Sequence, residues 1–267
     1  MNCLTYCEFT ARAGISHQKS NLTAMLKEAA ICGRDLLVPK FRVAGSHNHG
    51  RTVVTQMAEY FDFSKVTMGG KPVGIVLSVP ASISETAVRV RRNEPLIGRA
   101  EKMIAKGMKG VGLVRQPLES VYAGFSKMSV KIPTHPALVQ MAEAMAARIP
   151  ANAAWVHVRR GDLLQRTAAA TTPENIRRVL QKTAPETRAV YIATNEADGG
   201  FFAPLAEHYR LFRMEDFESF KALGMEDNYK LFLVEQAFGG LFPVRISTFK
   251  TGGNHFHGSL CELPGWQ

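Results

Sequence analysis

The sequence predicts an α/β protein built on parallel β-sheets. In both halves of the 267-residue chain, short apolar runs of β type alternate with runs of helical spacing. This alternation is typical of βαβ units, in which a helix joins two parallel strands. The composition, 46% hydrophobic and 21% charged, fits a chain with a sizeable core. We place a domain junction near Pro150, which divides the chain into residues 1–150 and 151–267.

The first half opens with a strand–helix–strand pattern. NCLTYC predicts a strand, and the Gly-containing turn ARAGISHQ leads to a helix over NLTAMLKEAAICG, with Gly33 as its C-cap. RDLLVP predicts a second strand that ends at Pro39. KPVGIVLSVP, from Lys71 to Pro80, predicts a further buried strand.

The second half continues the same alternation. HPALVQMAEAMAARIP predicts a helix bounded by prolines, and AAWVHVRRGD a strand directly after it. TPENIRRVLQKT begins with a Thr-Pro start signal and an acidic first turn, as helices often do. RAVYIATNE, NYKLFLVEQAF and FPVRIST then predict a strand, a helix and a strand.

The formal charge of +10 favours anionic partners, whether nucleic acid, acidic membrane or phosphorylated small molecules. Basic residues are densest from Arg89 to Arg115, a segment that is either a solvated helix face or a partner surface. The chain has no apolar run long enough to span a membrane and no signal-peptide pattern at its start. We therefore expect a soluble protein with no transmembrane segment; its compartment stays open, with the cytoplasm favoured.

Neither the cysteines nor the histidines indicate a metal site. The four cysteines form no CxxC pair, so no zinc or disulfide framework is indicated. His47 and His49, like His255 and His257, form short HxH pairs without acidic or cysteine neighbours, which favours surface or substrate-facing roles. P-loop, dinucleotide and GxSxG signatures are absent. We expect neither a metal nor a cofactor.

Polar segments follow three predicted strands of the second half: HVRRGD, TNEADGG and STFKTGG. Ligands of open α/β sheets bind at the carboxyl ends of the strands. Arg159 and Arg160 are successive residues, so one of them can address a ligand oxygen while the other braces the site. With Ser247 and Thr248 nearby, this pattern suits a diphosphate of a nucleotide sugar. The alternative is an ion-pair network of Arg159, Arg160 and Asp162 that braces a loop.

Four short motifs resemble those of the GDP-fucose-dependent fucosyltransferases, which include protein O-fucosyltransferases, the nodulation fucosyltransferase and α-1,6-fucosyltransferases. HVRRGD, VYIATNE, VEQ and ISTF occur in the order seen in that family. The N-terminal LTYC, ARAGISHQ and GRDLLVP also resemble its opening strand, turn, helix and strand. The resemblance covers roughly residues 1–50 and 153–255. It implies a GT-B fold, in which two Rossmann-like domains face each other across a cleft.

The resemblance implies that residues 1–150 form the acceptor side and residues 151–267 bind the nucleotide sugar. It makes Arg159 the catalytic residue, which neutralises the charge of the leaving diphosphate. The substrate-binding residues that it implies are Gly14, His157, Arg160, Asp162, Thr194, Asn195, Glu196, Glu235, Ser247, Thr248 and Phe249.

Two positions depart from the family pattern. The segment between VEQ and STF is shorter than in many relatives, so the acidic residue that would read guanine is either Glu235 or Asp227. Some members carry a glutamate general base just before the N-terminal glycine, where this chain has Ala13. Glu8 and Asp162 are the remaining candidates for a base, and a dissociative mechanism would need none.

The implied function is an inverting transfer of fucose from GDP-fucose, the donor substrate, to a hydroxyl of a protein or glycan acceptor. One alternative is a non-catalytic relative that binds a nucleotide sugar or glycan. Another is a basic protein that binds nucleic acid or a membrane surface through Arg89–Arg115. Under the fucosyltransferase hypothesis no nucleic-acid partner is expected.

Overall fold

The computed structural model describes the backbone of residues 3–6, 14–38, 40–77, 85–88, 110–113, 129–249 and 256–261. The chain divides into two compact units, residues 1–136 with 227–230 and residues 137–226 with 231–267. Each unit contains a five-stranded sheet in which every described strand pair is parallel. The predicted α/β class is therefore confirmed.

The parallel sheet of the first unit has the strand order β7-β2-β1-β9-β8. These strands are β1 Cys3–Tyr6, β2 Asp35–Leu37, β7 Ile75–Val76, β8 Glu85–Val88 and β9 Gly110–Leu113. Two small antiparallel sheets accompany it in this unit. They are formed by β3 Lys40–Val43 with β4 Val53–Gln56, and by β5 Thr67–Met68, β6 Lys71–Pro72 and β10 Val130–Lys131.

Helix α1, Ile15–Ile31, begins six residues before the predicted start at Asn21. Its first turns bury Gln18 together with apolar residues, and this polar side chain hides the apolar period in the sequence. The predicted end is confirmed, because Gly33 has a φ of +61°. The following amide donates to the carbonyl of Ala29 at 2.9 Å, as in a Schellman cap.

The prediction of one strand from Lys71 to Pro80 is wrong. Lys71–Pro72 belongs to the small antiparallel sheet, whereas Ile75–Val76 joins the parallel sheet beside β2. Gly74 makes this change of sheet possible, since a Cβ there would lie 1.7 Å from the Oδ1 of Asp35. Residues 78–80 lie outside the described residues.

The parallel sheet of the second unit has the order β13-β12-β11-β14-β15. Its strands are β11 Ala154–Val158, β12 Ala189–Thr194, β13 Arg210–Phe212, β14 Val244–Ser247 and β15 Gly258–Ser259. The helices are α2 Pro136–Ala146, α3 Leu164–Thr167, α4 Pro173–Thr183, α5 Ala203–Ala206, α6 Glu218–Glu226 and α7 Asn228–Gly240. The predicted prolines and caps are in place: the Thr172 hydroxyl accepts from the Asn175 amide at 3.2 Å.

Both faces of this sheet are covered, which explains why β11 and β12 are apolar along nearly their whole length. On one face Val156 and Ile192 belong to a core with α4 and α5. On the other face Trp155 and Tyr191 are buried, and Tyr191 packs against Phe238 of α7. Helix α7 approaches so closely that a Cβ on Gly239 would lie 2.8 Å from the Trp155 ring.

The strand order of the second sheet reverses between β11 and β14. From β11 the chain proceeds outward to β12 and β13, then returns to place β14 on the other side of β11. In open α/β sheets, the carboxyl ends of the strands at such a reversal form the ligand crevice. Arg159 follows β11 and Thr248 follows β14, so both lie at this point.

Candidate functional site

Hydrogen bonds join the carboxyl end of β11 to Thr248, the residue that directly follows β14. The Arg159 amide donates to the Thr248 hydroxyl oxygen at 2.8 Å. The Thr248 amide and hydroxyl both donate to the His157 carbonyl, at 2.9 and 3.0 Å. Thr248 is fully buried, so its hydroxyl fixes the backbone on which Arg159 stands. Direct contact between Thr248 and a phosphate stays a prediction.

The Arg159 side chain is exposed, although its backbone is held on both sides. Besides the bond to Thr248, its carbonyl accepts a hydrogen bond from the Thr167 hydroxyl at 3.1 Å. Arg159 is therefore an exposed residue whose backbone is fixed at the carboxyl edge of the sheet. This geometry suits a residue that contacts a bound anion.

Arg160 is buried in a different environment. Its Nε donates to the Glu196 carboxylate at 2.7 Å and its Nη1 to the Thr171 hydroxyl at 2.9 Å. The guanidinium carbon lies 3.8 Å from the centroid of the Phe201 ring. These contacts occupy Arg160 within the protein, so the two adjacent arginines have separate surroundings.

The TNE segment at the end of β12, Thr194–Glu196, makes hydrogen bonds to the residues that end and follow β11. The Thr194 hydroxyl donates to the Val158 carbonyl at 2.8 Å, and Asn195 Oδ1 accepts from the Arg160 amide at 2.8 Å. Gly161 leaves little room here for a side chain, because a Cβ would lie 2.8 Å from Asn195 Nδ2 and 3.3 Å from the Asn195 carbonyl oxygen. The Asp198 amide, followed by Arg160, lowers the pKa of Glu196, which keeps this carboxylate ionised.

His157 and Ser247 meet beside this junction. His157 Nδ1 lies 3.2 Å from the Ser247 hydroxyl oxygen, and its ring stacks on Trp155 at 5.8 Å. Burial, with a smaller effect from the Arg159 charge, lowers the pKa of His157 to about 4. The imidazole is therefore neutral at pH 7 and serves as a hydrogen-bonding group.

The structure places Glu235 on the α7 face of the sheet. Its Oε1 accepts a hydrogen bond from the Tyr191 hydroxyl at 3.1 Å, and burial raises its pKa to about 7. Asp227, the alternative acidic candidate, accepts from the Tyr60 hydroxyl at 2.5 Å within the first unit. A role for either carboxylate in reading guanine stays a prediction.

The remaining predicted site residues are Phe249, Asp162 and Gly14. Phe249 is half-buried directly after Thr248. Asp162 lies in the single turn of 3₁₀ helix at Gly161–Leu163, and its side chain is outside the described part of the structure. In the first unit Gly14 is the N-cap of α1, and a Cβ there would meet no atom within 4 Å.

Several sequence predictions fall outside the described residues: Glu8, Ala13, His255, the side chain of His47 and the basic segment Arg89–Arg115 except for the backbone of β9. Among the residues that are described, no group of three or more His, Cys, Asp or Glu side chains is placed to hold a metal ion. No helix in the described ranges is long and apolar enough to cross a membrane.

Sequence reasoning missed the residues that hold the two arginines, namely Thr167, Thr171 and Phe201. The threonines lie in a stretch of small residues before α4, and Phe201 follows two glycines. None of these positions carries a charge or belongs to a motif. Only the folded chain brings them within contact distance of Arg159 and Arg160.

Comparisons with known proteins match at the level of structure. No family model and no curated protein matches the sequence. A structure of POFUT1 in complex with GDP-fucose is 12% identical with a TM-score of 0.61, covering 92% of this chain and 90% of that one. The chain has a fucosyltransferase fold.

Two structures of the fucosyltransferase NodZ agree with this conclusion. One, soaked with GDP-fucose, is 14% identical with a TM-score of 0.51 and covers 94% of this chain and 89% of that one. The other, from Bradyrhizobium, has the same identity and TM-score, with 92% and 88% covered. The fold implied by the four sequence motifs is thereby confirmed. The placement of two domains across a cleft stays a prediction.

Proposed function

We propose that the chain transfers fucose from GDP-fucose to a hydroxyl of a protein or glycan, with inversion at the anomeric carbon. The observation that carries the proposal is the exposed residue Arg159, whose backbone is held by Thr248 and Thr167 at the strand-order reversal of the second sheet. The fold supports it, because POFUT1 and NodZ structures that share this fold contain GDP-fucose.

In this mechanism Arg159 stabilises the charge that develops on the diphosphate as the bond between sugar and phosphate breaks. The electron pair of that bond leaves with GDP. The acceptor hydroxyl oxygen attacks the anomeric carbon from the opposite side, and its proton passes to water. Thr248 and Thr167 hold the Arg159 backbone, so the guanidinium needs little reorganisation during the reaction. Neutral His157 orients the Ser247 hydroxyl without adding a further charge.

The proposal is tested by calorimetric titration of GDP and GDP-fucose into the wild-type chain, Arg159→Ala and Arg188→Ala. Arg188 is an exposed arginine directly before β12, at the amino end of the same sheet, so its removal is a matched loss of charge. We expect binding to wild type and Arg188→Ala and a loss of at least about tenfold in Arg159→Ala. Equal affinities for all three proteins would refute the assignment of Arg159.

Release of GDP from GDP-fucose separates an enzyme from a binding relative. We expect wild type to release GDP slowly by hydrolysis and faster when an acceptor is present, whereas Arg159→Ala releases none above background. Tight binding without any release would favour the non-catalytic alternative. Steeply salt-dependent binding of RNA or DNA that Arg159→Ala leaves unchanged would favour the nucleic-acid alternative.

A further inference from the structure

A pocket with basic lining residues lies in the second unit, between α4 and β15. It is a pocket of about 210 Å³ whose described lining residues are Arg178, Val179, Lys182, Thr183, His257, Gly258, Ser259 and Leu260. No carboxylate stands among these lining residues. A pocket that combines an arginine and a lysine with hydroxyl and imidazole groups favours an anion.

Hydrogen bonds within the protein position Arg178 and His257. Arg178 Nη2 donates to Asn175 Oδ1 at 2.7 Å, and Asn175 Nδ2 donates to the Leu260 carbonyl at 3.0 Å. Asn175 is buried, so it ties the guanidinium of α4 to the end of β15. Lys182 lies one turn further along α4, on the same face as Arg178.

Hydrogen bonds to the backbone of Arg245 fix the orientation of His257. Its amide donates to the Arg245 carbonyl at 2.8 Å, and the Arg245 amide donates to His257 Nδ1 at 3.0 Å. Because Nδ1 accepts a hydrogen bond, the neutral ring carries its proton on Nε2. The imidazole of this lining residue therefore has an N–H donor, in addition to the donors of Arg178 and Lys182.

We propose that this pocket is an accessory anion site, which binds a phosphate or sulfate group. Its volume is below the roughly 300 Å³ at which pockets for drug-sized ligands begin, so it suits a single oxyanion or a small sugar bearing one, and not a second nucleotide. The proposal does not depend on fucosyl transfer.

Hydrogen bonds link the lining of the pocket, at β15 and the residues after it, to Ser247 and Thr248 at the end of β14. The Leu260 amide donates to the Ser247 carbonyl at 2.9 Å, and the Cys261 amide donates to the Thr248 carbonyl at 3.2 Å. The Ser259 hydroxyl also donates to the Thr248 carbonyl at 3.2 Å. An anion held against β15 would therefore restrain the same Thr248 that clamps Arg159.

The test uses the full chain carrying Arg159→Ala, so that the guanidinium of Arg159 cannot contribute to phosphate binding. Inorganic phosphate is titrated at constant ionic strength and followed by phosphorus NMR line broadening. We expect saturable binding that weakens at least about tenfold in Arg178→Gln/Lys182→Gln. Arg188→Gln/Lys221→Gln removes the same two charges from exposed positions outside the pocket and should bind phosphate as before.

Absence of saturable binding, or equal loss in both double variants, would overturn the proposal. Amide exchange provides the location: phosphate should slow exchange at Leu260 and Cys261, and unchanged exchange there would overturn the placement against β15. Titrations of sulfate and galactose 6-sulfate then identify the source of the anion. Tighter binding of the sugar sulfate assigns the site to a glycan-borne group, and equal affinities assign it to a free oxyanion.

Discussion

We expect Arg160→Ala to lower the free energy of unfolding much more than Arg159→Ala does. Arg160→Ala removes a 2.7 Å charge-assisted bond to Glu196, a bond to Thr171 and the stacking on Phe201. The Glu196 carboxylate left behind is reached by solvent, so little buried charge is left unpaired. We therefore expect Arg160→Ala to lower the free energy of unfolding by about 1–3 kcal/mol, through the lost hydrogen bonds and packing of the buried Arg160 side chain.

Arg159→Ala removes an exposed side chain while its clamped backbone remains, so the free energy of unfolding should change by about 0.5 kcal/mol or less. Urea unfolding, followed by tryptophan fluorescence to which buried Trp155 contributes, measures both variants. Arg160→Lys keeps the charge but loses the planar fork, and should fall between wild type and Arg160→Ala. The reasoning is refuted if Arg160→Ala is as stable as wild type, or if Arg159→Ala is the more destabilised of the two.

Three further predictions concern packing and pH. Gly161→Ala should cost about 1–3 kcal/mol because its Cβ would crowd Asn195, whereas Gly240→Ala, where a Cβ meets open space, should be nearly neutral in the same urea assay. His157 has a pKa of about 4 in the folded protein against 6.5 in the unfolded chain, so its protonation favours the unfolded state as the pH falls. The free energy of unfolding of wild type should therefore fall by about 2 kcal/mol between pH 7 and pH 5, and His157→Asn should show a smaller fall. Glu235 has the opposite pH dependence. Its pKa is about 7 in the folded protein against 4.5 in the unfolded chain, so the stability of the folded state falls as the pH rises from 4.5 to 7. Its replacement by Gln should therefore gain about 2 kcal/mol relative to wild type between pH 5 and pH 8, and an unchanged difference would contradict the buried environment.

Elements with strong local signals could be predicted from the sequence. Helix α4 has Thr172 and a proline at its start, and the five- and six-residue strands β11 and β12 are apolar except for His157 and Thr194. The edge strands β13 and β15 are three and two residues long, too short for any period to appear. Their positions are set by pairing with neighbouring strands, which is a tertiary effect.

The position of the candidate site could be predicted from the residue types, because arginines at a strand end are typical of anion sites. Successive arginines at a strand end indicate an anion site, and the fold places Arg159 at the reversal of strand order. The sequence could not show which arginine would be enclosed, because that depends on Glu196, Thr171 and Phe201 meeting around Arg160. Nor could it show that Thr248 would turn its hydroxyl toward the neighbouring strand exit.

The return of the chain from β13 to β14 has a consequence for how the protein folds. His157 and Ser247 are 90 residues apart, and β14 can pair with β11 only after the intervening helices and strands have been laid down. Closing so long a loop is a slow, late event in a parallel sheet. A nascent chain in which Thr248 has not yet left the ribosome lacks the hydrogen bonds that hold the Arg159 backbone, so this part of the site forms only when the sheet is complete.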